Sequence, residues 1–523
     1  MAVALCCTAL SLVAIAWSFI HNAQLNYGDA VAHLHIARRV LDSRIPRFTE
    51  LGSVWLPLPH ILMMPFVQVY AWWVSGVAGT IPSALAWLVS CIGFYRLARR
   101  WLAPVEAAFA LAFLATNPNL LYLQTTAMTE PLFVCEMIWI VDGLVEWRNA
   151  LAEDDTKRIA RFQAVIAIAM IAAIFTRYDG WIMAAIGWTA MGVVLLRRGK
   201  LRSPGFWIWS VLVVAAPVAW FVYNSVAYGD WLFFVRGPFS AKAIEMRTFH
   251  GSGPPHPGFH DPWVALLFYA KTFEMDTFAL WRNFAFALSA LGTLTAYFTA
   301  RQRGFTWALL LWLPLGFYTY SVAYGWVPIF LPVWWPHNFY NTRYGMEMLP
   351  ALALGLGFAA RFAIGAAREF KPRMECWAAA FLFVLVALNA WGLVRRGPLV
   401  YIEGTTNSRA RAAFDHNIPP TLRTALAGCP NAAILMNTSV YPEIVAFTGI
   451  PLRQTINESD LQIFTDALAR PAAHAGLVLA FAGDPVDGAV KASPEGLRAI
   501  AEFSTPGQPD GTLYRSDSCA ASR

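Results

Sequence analysis

Stretches of about 18–22 apolar residues recur along most of the chain, as at 104–123, 160–176, 181–196 and 206–223. That is the length a helix needs to cross the hydrocarbon core of a bilayer, where every backbone N–H and C=O must be satisfied within the segment. A chain built from such stretches folds as a bundle of membrane helices. The runs show little 3.6-residue alternation, as expected for helices with lipid on one side and neighbours on the other. Charge is scarce: 14% of the 523 residues are charged and 58% are hydrophobic, against about 25% charged in an ordinary soluble domain. Many of the 23 Trp and 36 Phe lie at the ends of the runs, where aromatic rings favour the interface. A formal charge of +7 would suggest nucleic acid in a soluble protein. Here the basic residues have a simpler place at helix ends, and no nucleic-acid partner is expected.

The first run, 2–20, lacks a basic flank and a small-residue cleavage site, so it reads as a retained helix rather than a cleaved signal. About eleven spans follow from the pattern: 2–20, 80–98, 104–124, 130–147, 159–176, 180–196, 205–227, 281–300, 305–323, 345–366 and 375–394. With these spans, five basic clusters fall on one side: Arg96, Arg99 and Arg100; Arg148, Lys157, Arg158 and Arg161; Arg197, Arg198, Lys200 and Arg202; Arg301 and Arg303; Arg361, Arg368, Lys371 and Arg373. The short opposite loops, 124–130 and 177–179, hold one basic residue, Arg177. The positive-inside rule then makes the clustered side and the N-terminus cytoplasmic. The long segments 21–79, 228–280 and 324–344 and the tail from 395 fall on the other side. Segment 61–78 is apolar but surrounded by Pro57, Pro59 and Pro65, so it is expected to be partly embedded or re-entrant. Segment 263–280 is amphipathic and carries Lys271, Glu274 and Asp276, which predicts a helix along the membrane surface.

The expected organisation is a transmembrane module over 1–395 and a small soluble domain over 396–523 on the non-cytoplasmic side. In that tail the apolar runs shorten to strand length, at 432–436 and 476–481, with helical patterns around 407–427, 459–469 and 494–502 and a strand pair around 500–504 and 511–515. Alternating strands and helices predict an α/β fold. No phosphate-binding glycine loop follows either strand, so a nucleotide site is not expected there. Cys429 and Cys519 are the only cysteines of the tail, and an oxidising compartment would permit a disulfide between them.

Four stretches on the non-cytoplasmic side carry chemistry. Asp29 follows the first span in NYGDAVAHLHIARR, 26–39, and Glu130 precedes Pro131 where the fourth span begins. Each could serve only its helix, as a cap or dipole partner. Two acids at such depth need a partner or a watery cavity. The turn TRYDGW, 176–181, packs Arg177, Tyr178, Asp179 and Trp181 between two spans; the alternative is an aromatic belt with a local Arg177–Asp179 pair. NTRYGMEMLP, 341–350, puts Arg343 and Tyr344 at the mouth of the tenth span. A guanidinium fork matches a phosphate, and the alternative is snorkelling. His33, His35, His250, His256, His260 and His337 invite a metal reading, but no H-E-x-x-H or cysteine cluster supports one, and no cofactor is expected.

The order of these motifs resembles the GT-C superfamily of membrane glycosyltransferases, and within it the protein O-mannosyltransferase and lipid A aminoarabinose transferase group. The likeness is carried, over about 1–366, by Asp29 with the helix ending in Arg38-Arg39, WLPLPH at 55–60, IPSAL at 81–85 with RLARR at 96–100, Glu130-Pro131, the RYDGW turn at 177–181, and Arg343-Tyr344 before Leu349-Pro350. Gly28-Asp29 stands where many relatives have adjacent acids, which argues against a D-x-D metal site, and the tail after 400 lies outside the resemblance. The resemblance implies transfer of a sugar from a polyprenyl-phosphate donor to a hydroxyl or amine of a glycan, lipid or protein acceptor, outside a bacterial plasma membrane, by one inverting displacement. Asp29 would be the base, with Glu130 assisting; Arg177, Tyr178, Asp179, Arg343, Tyr344, His60 and His33 would bind donor phosphate or substrate. A transporter or flippase predicts inverted repeats and polar residues at mid-membrane, and neither is evident. A lipid-linked glycan polymerase or ligase shares the donor chemistry and stays open as an alternative.

Overall fold

The computed structural model describes residues 1–248 and 253–520; His250 lies outside the described residues. All eleven expected spans are helical along most of their length. Among the described residues eight helices are long and apolar enough to cross a membrane: Ala2–Ile20, Val77–Ala98, Thr156–Thr176, Tyr178–Arg197, Pro204–Tyr228, Phe305–Tyr324, Thr342–Phe370, and the Met374–Ala427 stretch. The other three expected segments deviate for identifiable reasons. Asn117-Pro118 splits the third into Pro104–Ala115 and Pro118–Leu123. Glu130–Ala152 carries several charges through its second half, and Arg282–Ala300 is less apolar but packs tightly. Segment 61–78 is divided between helices Leu58–Val67 and Tyr70–Ser75, neither of spanning length.

The chain divides into two compact units. One comprises Met1–Ser18, Ser53–Pro59 and Pro82–Glu403; the other comprises Phe19–Gly52, His60–Ile81 and Gly404–Arg523. In the first unit the helices turn apolar side chains outward as well as inward, as lipid allows. Helix Pro204–Tyr228 exposes Trp207, Ile208, Val211, Val214, Val218, Val222 and Val226, and buries Ser210 and Asn224. With no hydrophobic gain from helix association in lipid, small residues that allow close contact matter more. Helices Arg282–Ala300 and Thr342–Phe370 meet backbone to backbone: a Cβ on Gly292 would stand 2.0 Å from the Gly355 carbonyl oxygen, and one on Gly355 would stand 2.2 Å from that of Ser289. The Ser289 hydroxyl donates to the Leu352 carbonyl at 2.8 Å. Helix Pro262–Thr277, expected to lie along the surface, buries Phe268, Tyr269, Thr272, Phe273 and Asp276. Its polar face turns inward, and Asn117 and Asn119 donate to the Asp276 carbonyl at 3.0 and 2.9 Å.

In the second unit five strands form one sheet: β1 Ile434–Leu435, β2 Thr455–Ile456, β3 Leu477–Phe481, β4 Leu497–Phe503 and β5 Gly511–Ser516, in the order β2-β1-β3-β5-β4. β1 runs parallel to β2 and β3, whereas β5 is antiparallel to β3 and β4. β3 is buried along its whole length, and Leu435, Ile456, Phe464, Val478, Val486 and Val490 form its core. The helical pattern at 494–502 is a misreading. The helix there is Pro485–Ala492, and 497–503 is β4. Pro494 and Gly496, the latter with φ +74°, turn the chain, and pairing with β5 decides the rest. Cys429 and Cys519 are joined by a disulfide with Cα atoms 5.8 Å apart.

Candidate active site

Three of the helices that carry the first unit's candidate residues start at the same place, and a fourth ends there. Glu130 lies in the first turn of Glu130–Ala152, with Thr129 at its N-cap. Arg177 is both the end of Thr156–Thr176 and the N-cap of Tyr178–Arg197, and Asp179 lies in the latter's first turn. Arg343 sits on a 3-10 turn, Thr342–Met348, that leads into Leu349–Phe370. Acids at helix N-termini are favoured by the dipole, but here they do more than cap.

Arg177 is the hub. Its Nη1 donates to Thr129 Oγ1 at 2.9 Å and lies 3.4 Å from Glu130 Oε1. Its Nε stands 3.2 Å from Glu347 Oε1 and 3.4 Å from Asp179 Oδ2, and its Nη2 donates to the Tyr318 hydroxyl. Tyr318 donates in turn to Glu347 Oε1 at 2.7 Å. Arg343 Nε reaches the same Glu130 Oε1 at 3.1 Å, and its Nη1 lies 3.6 Å from Glu403 Oε1. Glu403 also receives the backbone N–H groups of Asn341 and Thr342 at 2.9 and 2.8 Å, which holds the turn carrying Arg343. Both guanidiniums lie 5.0 Å from the Tyr344 ring centroid, and Tyr344 stacks on Tyr318 at 4.8 Å.

Four buried carboxylates therefore converge on two arginines. A buried charge is tolerated when paired and hydrogen-bonded, and most oxygens here are. Among the described residues Glu130 Oε2 and Glu347 Oε2 are buried with no hydrogen-bond partner. Such orphaned acceptors are costly and mark where a donor group from outside the protein would be welcomed. Tyr178 is set apart: its hydroxyl donates to the Val54 carbonyl at 2.8 Å, and its ring stacks on Phe234 at 5.4 Å.

The second unit holds Asp29, His33 and His60. Helix Gly28–Asp42 has Tyr27 at its N-cap, so Asp29 lies inside the first turn rather than capping it. The two imidazoles meet, His33 Nδ1 to His60 Nε2 at 2.8 Å, one donating and the other accepting. Beside Asp29, Arg411 Nη2 pairs with Glu443 Oε1 at 2.9 Å and its Nε lies 3.8 Å from Asp415. Burial, reinforced by the charge of Asp29, pushes the Glu443 carboxyl above its ordinary range, and Arg411 opposes that shift. Among the described residues no group of three or more His, Cys, Asp or Glu side chains is arranged to hold a metal ion.

Sequence reasoning missed Tyr318, Glu347, Glu403, Arg411 and Glu443. Glu347 lies inside the NTRYGMEMLP stretch, and an acid within an apolar segment was the available signal. Tyr318 and Glu403 carry no local signature; only convergence on Arg177 and Arg343 reveals them.

Fold and site together define a polytopic α-helical membrane protein with a C-terminal sheet domain and a cluster of arginines and carboxyl groups at the start of several spans. No family model matches the chain, and no curated protein matches it in sequence. Among solved structures it is similar to the crystal structure of ArnT from Cupriavidus metallidurans bound to undecaprenyl phosphate, with a TM-score of 0.59 and 15% identity over 98% of each chain. It is likewise similar to ArnT from Cupriavidus metallidurans in the apo state, with a TM-score of 0.55 and 15% identity over 97% of each chain. The chain has the fold of ArnT.

Proposed function

We propose that this protein is a membrane glycosyltransferase that moves a sugar from a polyprenyl-phosphate donor to an acceptor on the outer face of a bacterial inner membrane, by a single inverting displacement. The observation that carries the reading is the cluster of carboxyl groups around Arg177 and Arg343, set in a fold shared over almost its whole length with a protein that holds undecaprenyl phosphate.

Each residue has a part that its chemistry suits. The acceptor hydroxyl or amine loses a proton as it attacks the anomeric carbon, and Asp29 is the base. The bond from that carbon to the donor phosphate breaks on the opposite side, and the lipid phosphate leaves as an anion. Arg343 offsets the charge that develops there. Arg177, whose donors already reach Thr129, Tyr318 and three carboxylates, orients Glu130 and Asp179 rather than meeting phosphate itself. Glu130 holds Arg343 in place and offers its unpartnered Oε2 to the substrate. His33 and His60, bonded to each other, shape the surroundings of Asp29.

The test is donor consumption by the purified protein with a panel of polyprenyl-phosphate sugars. Asp29→Asn should slow turnover by about two to four decades. Normal turnover in that variant would remove Asp29 from the base role. If no lipid-linked sugar is consumed while a solute crosses proteoliposomes, the protein is a transporter.

A further inference from the structure

The opposite ends of these helices carry the basic clusters, and three of the arginines there, Arg96, Arg100 and Arg158, are paired with carboxylates. Arg96 and Arg100 both pair with Asp142 at 3.0 Å, and Arg158 pairs with Glu146 at 2.9 Å. Arg148, Arg197 and Arg198 are not, and they are the three that share one cavity. Among the described residues none of the three has a carboxylate within ion-pair distance. Arg198 donates to the Leu151 carbonyl at 2.9 Å and Arg148 to the Asn149 side chain at 3.3 Å, both neutral acceptors, and Asp154, paired with Lys200, attracts Arg198 only from a longer range. Arg198 acts on Arg148 as an unfavourable neighbouring charge.

The same three arginines line one cavity of about 870 Å³, a volume within the usual range for a small-molecule site. The rest of its wall is mostly apolar, including Ile186, Val193 and Trp307. Ile186 and Val193 are 45% and 41% exposed. Seven residues apart, they lie on one face of helix Tyr178–Arg197. An outward apolar strip roughly 10 Å long thus runs along the span toward the guanidiniums. The candidate active site is at the other end of this helix, roughly 28 Å from Tyr178 to Arg197 at 1.5 Å per residue. A cavity with an apolar, lipid-facing wall and three cations outside any ion pair among the described residues at one end has the layout of a phospholipid: acyl chain along the wall, phosphate at the arginines.

We propose that Arg148, Arg197 and Arg198 form a binding site for an anionic glycerophospholipid, with the headgroup phosphate at the guanidiniums and an acyl chain along Ile186 and Val193. The site is separate from the glycosyl-transfer reading and stands whether or not that reading holds. Arginine forks bind phosphate bidentately and charge decides between lipids, so phosphatidylglycerol or cardiolipin is held in preference to phosphatidylcholine.

Native mass spectrometry of the full chain in mild detergent tests this, with phosphatidylglycerol, cardiolipin, phosphatidylcholine and inorganic phosphate titrated separately. Wild type should retain one anionic lipid at least tenfold more strongly than phosphatidylcholine. A variant combining R148Q, R197Q and R198Q should lose that preference, with a thermal midpoint in phosphatidylcholine nanodiscs that shows it still folds. A control combining R368Q, K371Q and R373Q should keep it. Equal retention of anionic lipid in wild type and the first variant would overturn the site, as would equal loss in the control. Inorganic phosphate bound as tightly as phosphatidylglycerol would overturn the lipid assignment in favour of a free anion.

Discussion

At the scale of single residues, the strongest consequence is that Arg177 cannot be replaced cheaply. Arg177→Met would leave Glu130, Asp179 and Glu347 facing one another without their shared cation. Breaking a buried pair from one side costs about 3–5 kcal/mol, so the thermal midpoint in detergent should fall sharply. On the proposed function, Arg343→Lys should be milder for stability yet costly for turnover, because a point charge cannot replace a fork that spans Glu130 and Glu403; donor consumption in vesicles separates the two effects. His35 makes a pH prediction. It is buried beside Trp73 with Nε2 lacking a hydrogen-bond partner among the described residues, and burial, with the Arg39 charge, lowers its pKa to about 3. The unfolded chain takes up that proton near pH 6.5 while the folded chain refuses it. Stability from this residue is therefore fully present above about pH 6.5 and is lost as pH falls from there toward 3. His35→Leu should flatten the pH dependence of thermal unfolding between pH 6.5 and 4; an unchanged profile would refute the assignment.

At the scale of elements, close approach decides more than apolarity does. Helices Arg282–Ala300 and Thr342–Phe370 touch at Gly292 and Gly355, where any Cβ meets a carbonyl oxygen at 2.0–2.2 Å. Gly355→Val should push the helices apart, at a cost of about 1–3 kcal/mol or more, and should displace the turn that carries Arg343. The loss of both midpoint and turnover checks this. The first turn of Gly28–Asp42 is similarly tight: a Cβ on Gly28 would lie 3.1 Å from Glu443 Oε1 and 3.2 Å from Arg411 Nη1. Run length and sidedness made the helices legible, yet neither contact was. Packing partners distant in sequence leave no periodic trace. The same limit explains β4: Leu497–Phe503 reads locally as a helix and becomes a strand because β5 supplies its hydrogen-bond partners.

At the scale of the whole molecule, two compact units are built from interleaved pieces of one chain. The sheet-bearing unit closes its C-terminal part with Cys429–Cys519, ninety residues apart in sequence. Cross-linking so long a loop stabilises by about 2–4 kcal/mol, so Cys519→Ser should lower the unfolding midpoint of that unit by several degrees, read by cysteine-reactivity during heating. What the sequence by itself determined is the solvent each segment prefers. Twenty apolar residues can be satisfied only as a helix in lipid, a short apolar run flanked by turns only as a strand, and the acids that break the pattern were visible as exceptions. What only the tertiary structure decided is which charges meet. Glu130, Asp179, Glu347 and Glu403 come from four distant places and acquire meaning when Arg177 and Arg343 lie between them, while Arg148, Arg197 and Arg198 have no carboxylate within ion-pair distance among the described residues. Pairing energy depends on a few ångströms of separation between groups that the chain does not place side by side, so it is settled by packing and not by pattern.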